Sequence, residues 1–265
     1  LIEVIYGVKQ LLPLSNTFPP ANRTNCFLIG DCEKFLIDPS PKDENEFQKL
    51  KNTLKKNPFD HIFLTHHHAD HHEFAPLLAR EMGCEIHLSQ DSLNRIEKRW
   101  GRDYFSQIKT VTRFEGETLT ESLGSPVKIY AVPGHDRGQL GLMPQNREWF
   151  LASDLIQTIG TVVIGGDEGD MTEYFRSMER VIQLDPKKII PSHGMIMGGT
   201  ARIEKTLKHR KIREEQIKEL LKQGKNVTEM LEMIYFDLPE RLKKYARYTT
   251  EAHIEKIQKD ESLLN

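Results

Sequence analysis

The sequence is poor in cysteine. Its 265 residues hold three, Cys26, Cys32 and Cys84, odd in number, scattered, and with no C-x-x-C pair. That pattern argues against a disulfide framework and against a thiolate zinc knuckle, and reduced thiols in a cytoplasmic setting are the simplest reading. Long apolar runs are missing as well. No stretch of about 18 apolar residues occurs, so no membrane-spanning helix is expected. Charge of one sign is equally scarce: 37 Lys and Arg against 39 Asp and Glu leave a formal net charge of −2. No global field therefore marks a nucleic-acid binder. Leu1 to Tyr6 lack a basic flank, a long apolar core and a cleavage site, so they do not read as a signal peptide. The chain opens without Met, which leaves room for residues before Leu1.

What is present is an alternation of short apolar strands and helices, which predicts an α/β architecture. Asn25–Gly30 and Lys34–Asp38 read as strands split by the turn Gly30-Asp31-Cys32-Glu33. Residues 44 to 56 follow with Phe47, Leu50 and Leu54 at helical spacing. His61 to Thr65 is a short buried strand, and a helix is expected from Phe74 to Met82 before a strand at Glu85 to Leu88. In the second half, strands at Val127–Val132, Trp149–Ala152 and Lys188–Ile190 run into Pro133-Gly134-His135, Ser153-Asp154 and Pro191-Ser192-His193-Gly194. Tyr174 to Leu184 is helical between the last two. From Thr200 the pattern is helical only, with helices at Ile203–Gln223 and Val227–Phe236 and a third starting at Pro239. This tail carries a formal charge of +3 and the rest of the chain −5.

The informative segment is Thr65-His66-His67-His68-Ala69-Asp70-His71-His72, which gathers five of the eleven histidines into seven positions. It is internal, follows a buried strand and contains an aspartate, so it is not an appended tag. Imidazole and carboxylate are the ligands that zinc and similar divalent ions prefer. Residues two apart on a loop leaving a strand can face the same way, so His66 and His68 can share one ion, while Asp70 and His71 can reach a second. His135, Asp154 and His193, each just past a strand end, are the candidates for the remaining ligands. Asp154 has two oxygens and can bridge both ions. A metal pair lowers the pKa of bound water and polarises a carbonyl or phosphoryl oxygen. Asp70, His71 and Asp154 are therefore the candidate catalytic residues, with Asp70 able to orient the nucleophile. No leaving-group acid stands out among His67, His72, His87 and a metal-bound water. His67 reads as a spacer and His72 as structural. His61, His87, His209 and His253 read as ordinary polar positions, and Gly165–Asp170 as a connection near the site.

Over roughly residues 20 to 200 the sequence resembles the metallo-β-lactamase superfamily. His-x-His-x-Asp-His, Pro-Gly-His135, Ser-Asp154 and Pro-Ser-His193-Gly stand in that family's order. The resemblance implies an αββα sandwich. It also implies two zinc ions per chain, with iron or manganese as the alternatives. His66, His68 and His135 would hold one ion, Asp70, His71 and His193 the other, and Asp154 with a hydroxide would bridge them. Four positions depart from the family pattern: His72-Glu73 stands where Gly-Gly is frequent, and Ser153 and Ser192 stand where glycine is usual.

True β-lactamases of this fold are exported and usually carry Cys where Asp154 stands. An inserted β-CASP domain does not fit between His135 and His193, and 265 residues leave no room for a flavin domain. The tail instead resembles the lactamase-beta-2-like group, through Glu168-Gly169-Asp170-Met171, the helix His209–Ile217, Ile234-Tyr235 and Pro239. That implies a catalytic domain at 1–199 and a helical, winged-helix-like domain at 200–265 with a shortened final wing. Members of the group act on single-stranded RNA or on acyl thioesters, so an ester-type bond is expected. Glyoxalase II is the other branch. It is a thioesterase of glutathione adducts, resembled through Thr-His-His-His-Ala-Asp-His and, in the tail, through Lys243-Lys244 and Arg247-Tyr248. Two further readings fall outside hydrolysis: a mononuclear iron dioxygenase and a metal-stabilised binding protein. About two zinc ions per chain separates the hydrolase from the one-iron oxygenase. Neither a membrane nor a protein partner is implied.

Overall fold

The computed structural model describes residues 1–263; the last two residues of the tail expected at 200–265 lie outside it. Thirteen strands and eight α-helices are present among the described residues. In the first half they run β1 (Ile2–Ile5), β2 (Val8–Leu11), β3 (Cys26–Ile29), β4 (Phe35–Ile37), α1 (Glu44–Leu54), β5 (His61–Phe63), α2 (Ala69–His72), α3 (Ala75–Met82), β6 (Glu85–Leu88), α4 (Gln90–Trp100) and β7 (Thr110–Thr112). The second half holds β8 (Thr118–Ser122), β9 (Ser125–Ala131), β10 (Leu140–Pro144), β11 (Phe150–Ser153), α5 (Met171–Leu184), β12 (Lys188–Pro191), β13 (Met197–Gly198), α6 (Ala201–Lys222), α7 (Val227–Ile234) and α8 (Glu240–Ser262).

The strands form two sheets, one of seven in the order β1 to β7 and one of six in the order β13-β12-β11-β10-β9-β8. β4, β5, β6 and β7 pair in parallel, as do β11 and β12; the other pairs are antiparallel. The strands entering the site are buried on both faces, and so read as continuous apolar runs such as Phe35-Leu36-Ile37 and Phe150-Leu151-Ala152. Phe27, Phe35, Ile37 and Phe63 from one sheet meet Val127, Ile129, Leu142 and Ile190 from the other in the inter-sheet core. Leu36, Ile62 and Ile86 face the other way, onto Phe47 and Leu54 of α1, Leu78 of α3 and Ile96 of α4. On the far sheet, Phe150, Ala152 and Ile189 pack against Tyr174 and Met178 of α5, Ile203 of α6 and Ala252 of α8. This is the αββα sandwich.

The tail is helical, as its periodicity predicts. It shares the second outer core through Ile203, Leu207 and Ala252, and also has a small cluster of its own around Ile217, Met230 and Ile257. No strand that could form a wing occurs among its described residues. The physical reason lies in residues 240–262, which contain neither Gly nor Pro and continue as one helix instead of turning. Among the described residues, no helix is long and apolar enough to cross a membrane.

Candidate metal centre

The carboxyl ends of β4, β5, β11 and β12 lie along one rim of the sandwich, and β9 delivers Val132 to His135 to the same place. All seven residues expected as ligands are gathered there. His66 Nε2 and His135 Nε2 each lie 2.9 Å from His68 Nδ1. Asp154 Oδ2 stands 3.5 Å from His135 Nε2, 3.7 Å from His71 Nε2 and 3.4 Å from His193 Nε2. Asp70 Oδ2 stands 3.8 Å from His71 Nε2 and 3.4 Å from His193 Nε2. The seven fall into three overlapping groups able to hold a metal: His66, His68 and His135; His66, His71 and Asp154; Asp70, His71 and His193. Asp154 Oδ2 lies within 3.7 Å of members of both expected sets.

The outward nitrogen of every one of these imidazoles faces an acceptor. His71 Nδ1–H donates to Asp38 Oδ2 at 2.8 Å, and His68 Nε2–H to Glu168 Oε2 at 2.8 Å. His135 Nδ1–H donates to the Val163 carbonyl at 2.8 Å, and His193 Nδ1–H to the Arg23 carbonyl at 3.0 Å. The Thr65 hydroxyl donates to Asp38 and so can accept from His66 Nδ1, 3.1 Å away. With their protons on the outside, the inward nitrogens of neutral rings present lone pairs to one another at 2.9 Å. That contact is repulsive unless a cation sits among them. His71 Nε2 and Asp154 Oδ1 are also buried without a hydrogen-bond partner, a costly state for polar atoms that a metal relieves. The residues therefore fit divalent metal.

Electrostatics divides the cluster. Burial first, then the nearby His71 and His68, holds His66 well below its ordinary pKa, and burial with His68 lowers His135. Burial also opposes charge on His71, but Asp70, Asp38 and Asp154 outweigh it and raise that group. His193 is raised in the same way, by Asp154 against burial. Burial would raise Asp154, but His193 and His71 hold it well below the usual carboxylate range.

Local structure explains two of the departures from the family pattern, Ser153 and His72. Ser153 adopts the left-handed backbone that glycine favours, with φ of 49°, and its hydroxyl donates to Thr65 Oγ1 at 2.8 Å, a contact glycine could not make. His72 points away from the cluster: Nε2–H donates to the His67 carbonyl, Nδ1 accepts from the Tyr104 hydroxyl, and the ring stands edge-on to Trp100. Burial drives its pKa down to about 3. It is a structural pin, as expected, and both ring nitrogens are engaged. Gly134 has φ of +133°, and a Cβ there would lie 2.3 Å from Tyr174 Cα, so this position admits only glycine.

Three functional side chains were not anticipated. Asp38 accepts from Thr65 N–H, the Thr65 hydroxyl and His71 Nδ1–H at once; its signal was the strand-then-aspartate pattern already used for Asp154. Glu168 holds His68. His67, expected as a spacer, is clamped between Asp136 Oδ2 at 2.6 Å and Glu168 Oε1 at 3.1 Å. Far along the inner face, His61, Glu85 and His87 form a second cluster. Its charge is already met by Lys109 on Glu85 and by Arg113 Nε–H donating to His87 Nδ1.

The sequence matches the metallo-beta-lactamase superfamily over residues 19–193. The chain belongs to that superfamily. Its chemistry is thus that of a metallo-hydrolase. A Drosophila melanogaster protein named beta-lactamase-like protein 2 homolog is 27% identical, with 91% of this chain and 84% of that protein covered. The crystal structure of a metallo-beta-lactamase family protein from Thermus thermophilus superposes with a TM-score of 0.76 at 18% identity, covering 97% and 95% of the two chains. A shorter stretch, 56% of this chain and 53% of the relative, is 25% identical to hydroxyacylglutathione hydrolase of Wigglesworthia glossinidia brevipalpis.

Proposed function

We propose that the chain is a binuclear zinc hydrolase acting on an ester-type bond. His66, His68 and His135 would hold one ion and Asp70, His71 and His193 the other, with Asp154 available to both groups. One observation carries this reading: five imidazoles turn their nitrogens inward with every outward nitrogen facing an acceptor. When bound, the metal pair supplies a water activated near neutral pH and polarises the oxygen of the scissile group. The chain's own residues do the rest. Asp70, whose Oδ2 lies 3.4 Å from the Thr24 hydroxyl, is placed to orient the attacking water. Asn25 Nδ2 donates to the Pro191 and Gly194 carbonyls and fixes the loop carrying His193.

Two substrate classes share this chemistry. The tail's resemblance to the lactamase-beta-2-like group implies the phosphodiester of single-stranded RNA, and the likeness to the beta-lactamase-like protein 2 homolog extends over 91% of this chain. A different observation favours an acyl thioester. The loops beside His193, joined by Met195 N–H donating to Thr158 Oγ1, expose the apolar side chains Ile159 and Met195. A paired assay decides. One metal-counted preparation is given a single-stranded RNA oligonucleotide, S-lactoylglutathione and a generic acyl thioester. About two zinc ions per chain and hydrolysis of at least one substrate, lost in Asp70→Ala, are expected. Hydrolysis unchanged in Asp70→Ala, or a single iron per chain, would refute the reading.

A further inference from the structure

The segment between β11 and α5 touches the candidate metal centre on one side and the C-terminal helices on the other. Facing the centre, the Val163 carbonyl accepts from His135 Nδ1–H at 2.8 Å, and Glu168 accepts from His68 Nε2–H at 2.8 Å and from His67 at 3.1 Å. Facing the helices, the Val162 carbonyl accepts from Arg210 of α6 at 2.6 Å. Ile164 N–H donates to Thr249 Oγ1 of α8, and Asp170 pairs with Lys259 of α8 at 2.9 Å. Gly165, at φ of +135°, lies so close to α8 that a Cβ would sit 2.3 Å from the Tyr248 carbonyl oxygen. Asp170 also caps α5 by accepting from Thr172 and Glu173 N–H. A plain connection has no need of contacts on both sides within nine residues.

We propose that residues 162–170 are a strap through which the helical tail positions two of the three imidazoles of the first ligand set, and that Glu168 is the positioning residue for His68. The identity of the ligands rests on the metal reading above. The physical argument concerns ring freedom. His68 is the most exposed of the three, with its side chain 23% accessible, and it presents Nδ1 inward. The hydrogen bond from Nε2–H to the Glu168 carboxylate opposes the rotation that would turn that nitrogen away. Glu168 is itself kept in place by His67, whose other nitrogen is bound by the fully buried Asp136. Removing such a partner of a metal-bound imidazole typically weakens metal affinity about 10–100-fold.

The test is zinc affinity measured by chelator competition on the full chain, together with the visible spectrum of the cobalt-substituted protein. Glu168→Gln should weaken one of the two equivalents about 10–100-fold, leave the other unchanged, and shift the cobalt spectrum. Gly165→Ala, 2.3 Å from the tail, should weaken the same equivalent. The two effects should be less than additive, because both act through one strap. Wild-type affinity at both equivalents in Glu168→Gln would overturn the positioning role. Full additivity would overturn the coupling to the tail. A third metal equivalent lost in Glu168→Gln would make Glu168 a ligand and overturn the proposal in another way. If Gly165→Ala fails to fold, Lys259→Met takes its place in the cycle with the same outcomes. A wild-type chain that binds no zinc would refute the metal reading itself, which is a distinct result from two tight equivalents that ignore Glu168.

Discussion

His87 should make folding stability depend on acid, by an amount the structure sets. The residue is 2% exposed on the inner face of β6. Arg113 Nε–H donates to its Nδ1 at 3.0 Å, and the ring packs against Phe35 and His61. Burial first, then the positive neighbours Arg113 and His61, pushes its pKa down to about 4. Glu85 Oε2, 3.5 Å from Nε2, works in the other direction but is itself paired with Lys109, and Glu33 faces His61 rather than His87. An unfolded histidine titrates near about 6.5. Because the folded value is the lower one, the unfolded chain binds the proton more readily between the two. The contribution to stability is therefore complete above about pH 6.5 and is lost as pH falls toward about 4. At about 1.36 kcal/mol per pH unit, roughly 1.5 units below the unfolded value, the loss at pH 5 is about 2 kcal/mol. His87→Asn keeps an acceptor for Arg113 but cannot titrate. Urea denaturation of metal-free protein at about pH 7.5 and about pH 5 should show the variant gaining about 2 kcal/mol relative to wild type on acidification. Comparing the two proteins cancels the titration of the other histidines. A relative change under about 0.5 kcal/mol would refute the argument.

Three other outcomes are expected. Asp38→Ala leaves Thr65 N–H, the Thr65 hydroxyl and His71 Nδ1–H without their acceptor, and at about 1–3 kcal/mol per stranded donor it should cost at least about 3 kcal/mol by urea denaturation. Gly134→Ala sets a Cβ against the Tyr174 backbone at a positive φ, so its melting temperature should fall by the equivalent of about 3 kcal/mol and zinc binding through His135 should weaken. Stripping the metals with a chelator should lower the melting temperature, since an ion present at about 1,000 times its dissociation constant stabilises the fold by about 4 kcal/mol. A melting curve indifferent to the chelator would count against a metal centre.

Much of the site was legible because its residues are announced locally. Each of His66, His135, Asp154 and His193 lies just past the end of a strand legible in the sequence, and in the fold these ends lie along one rim of the sandwich. Helical periodicity likewise revealed α1, α5 and the tail. Other elements carried no such announcement. The helix α4 from Gln90 to Trp100 is highly charged, and the strands β7 and β8 are short and rich in Thr. None of the three stands out from loop composition.

The sequence by itself determined the α/β class, the seven convergent polar side chains and the helical tail, because each depends on periodicity or on the few residues next to a strand end. Only the tertiary structure decided the roles of Asp38, His67, Asp136 and Glu168. Their partners lie far away in the chain: Asp38 meets His71 across 33 residues, and Glu168 meets His67 and His68 across 101 and 100. Glu168, which accepts from His67 and His68, looks in sequence like any other surface acid. Its meaning arises only when the two sheets close and the helices of the tail press the 162–170 segment against the rim.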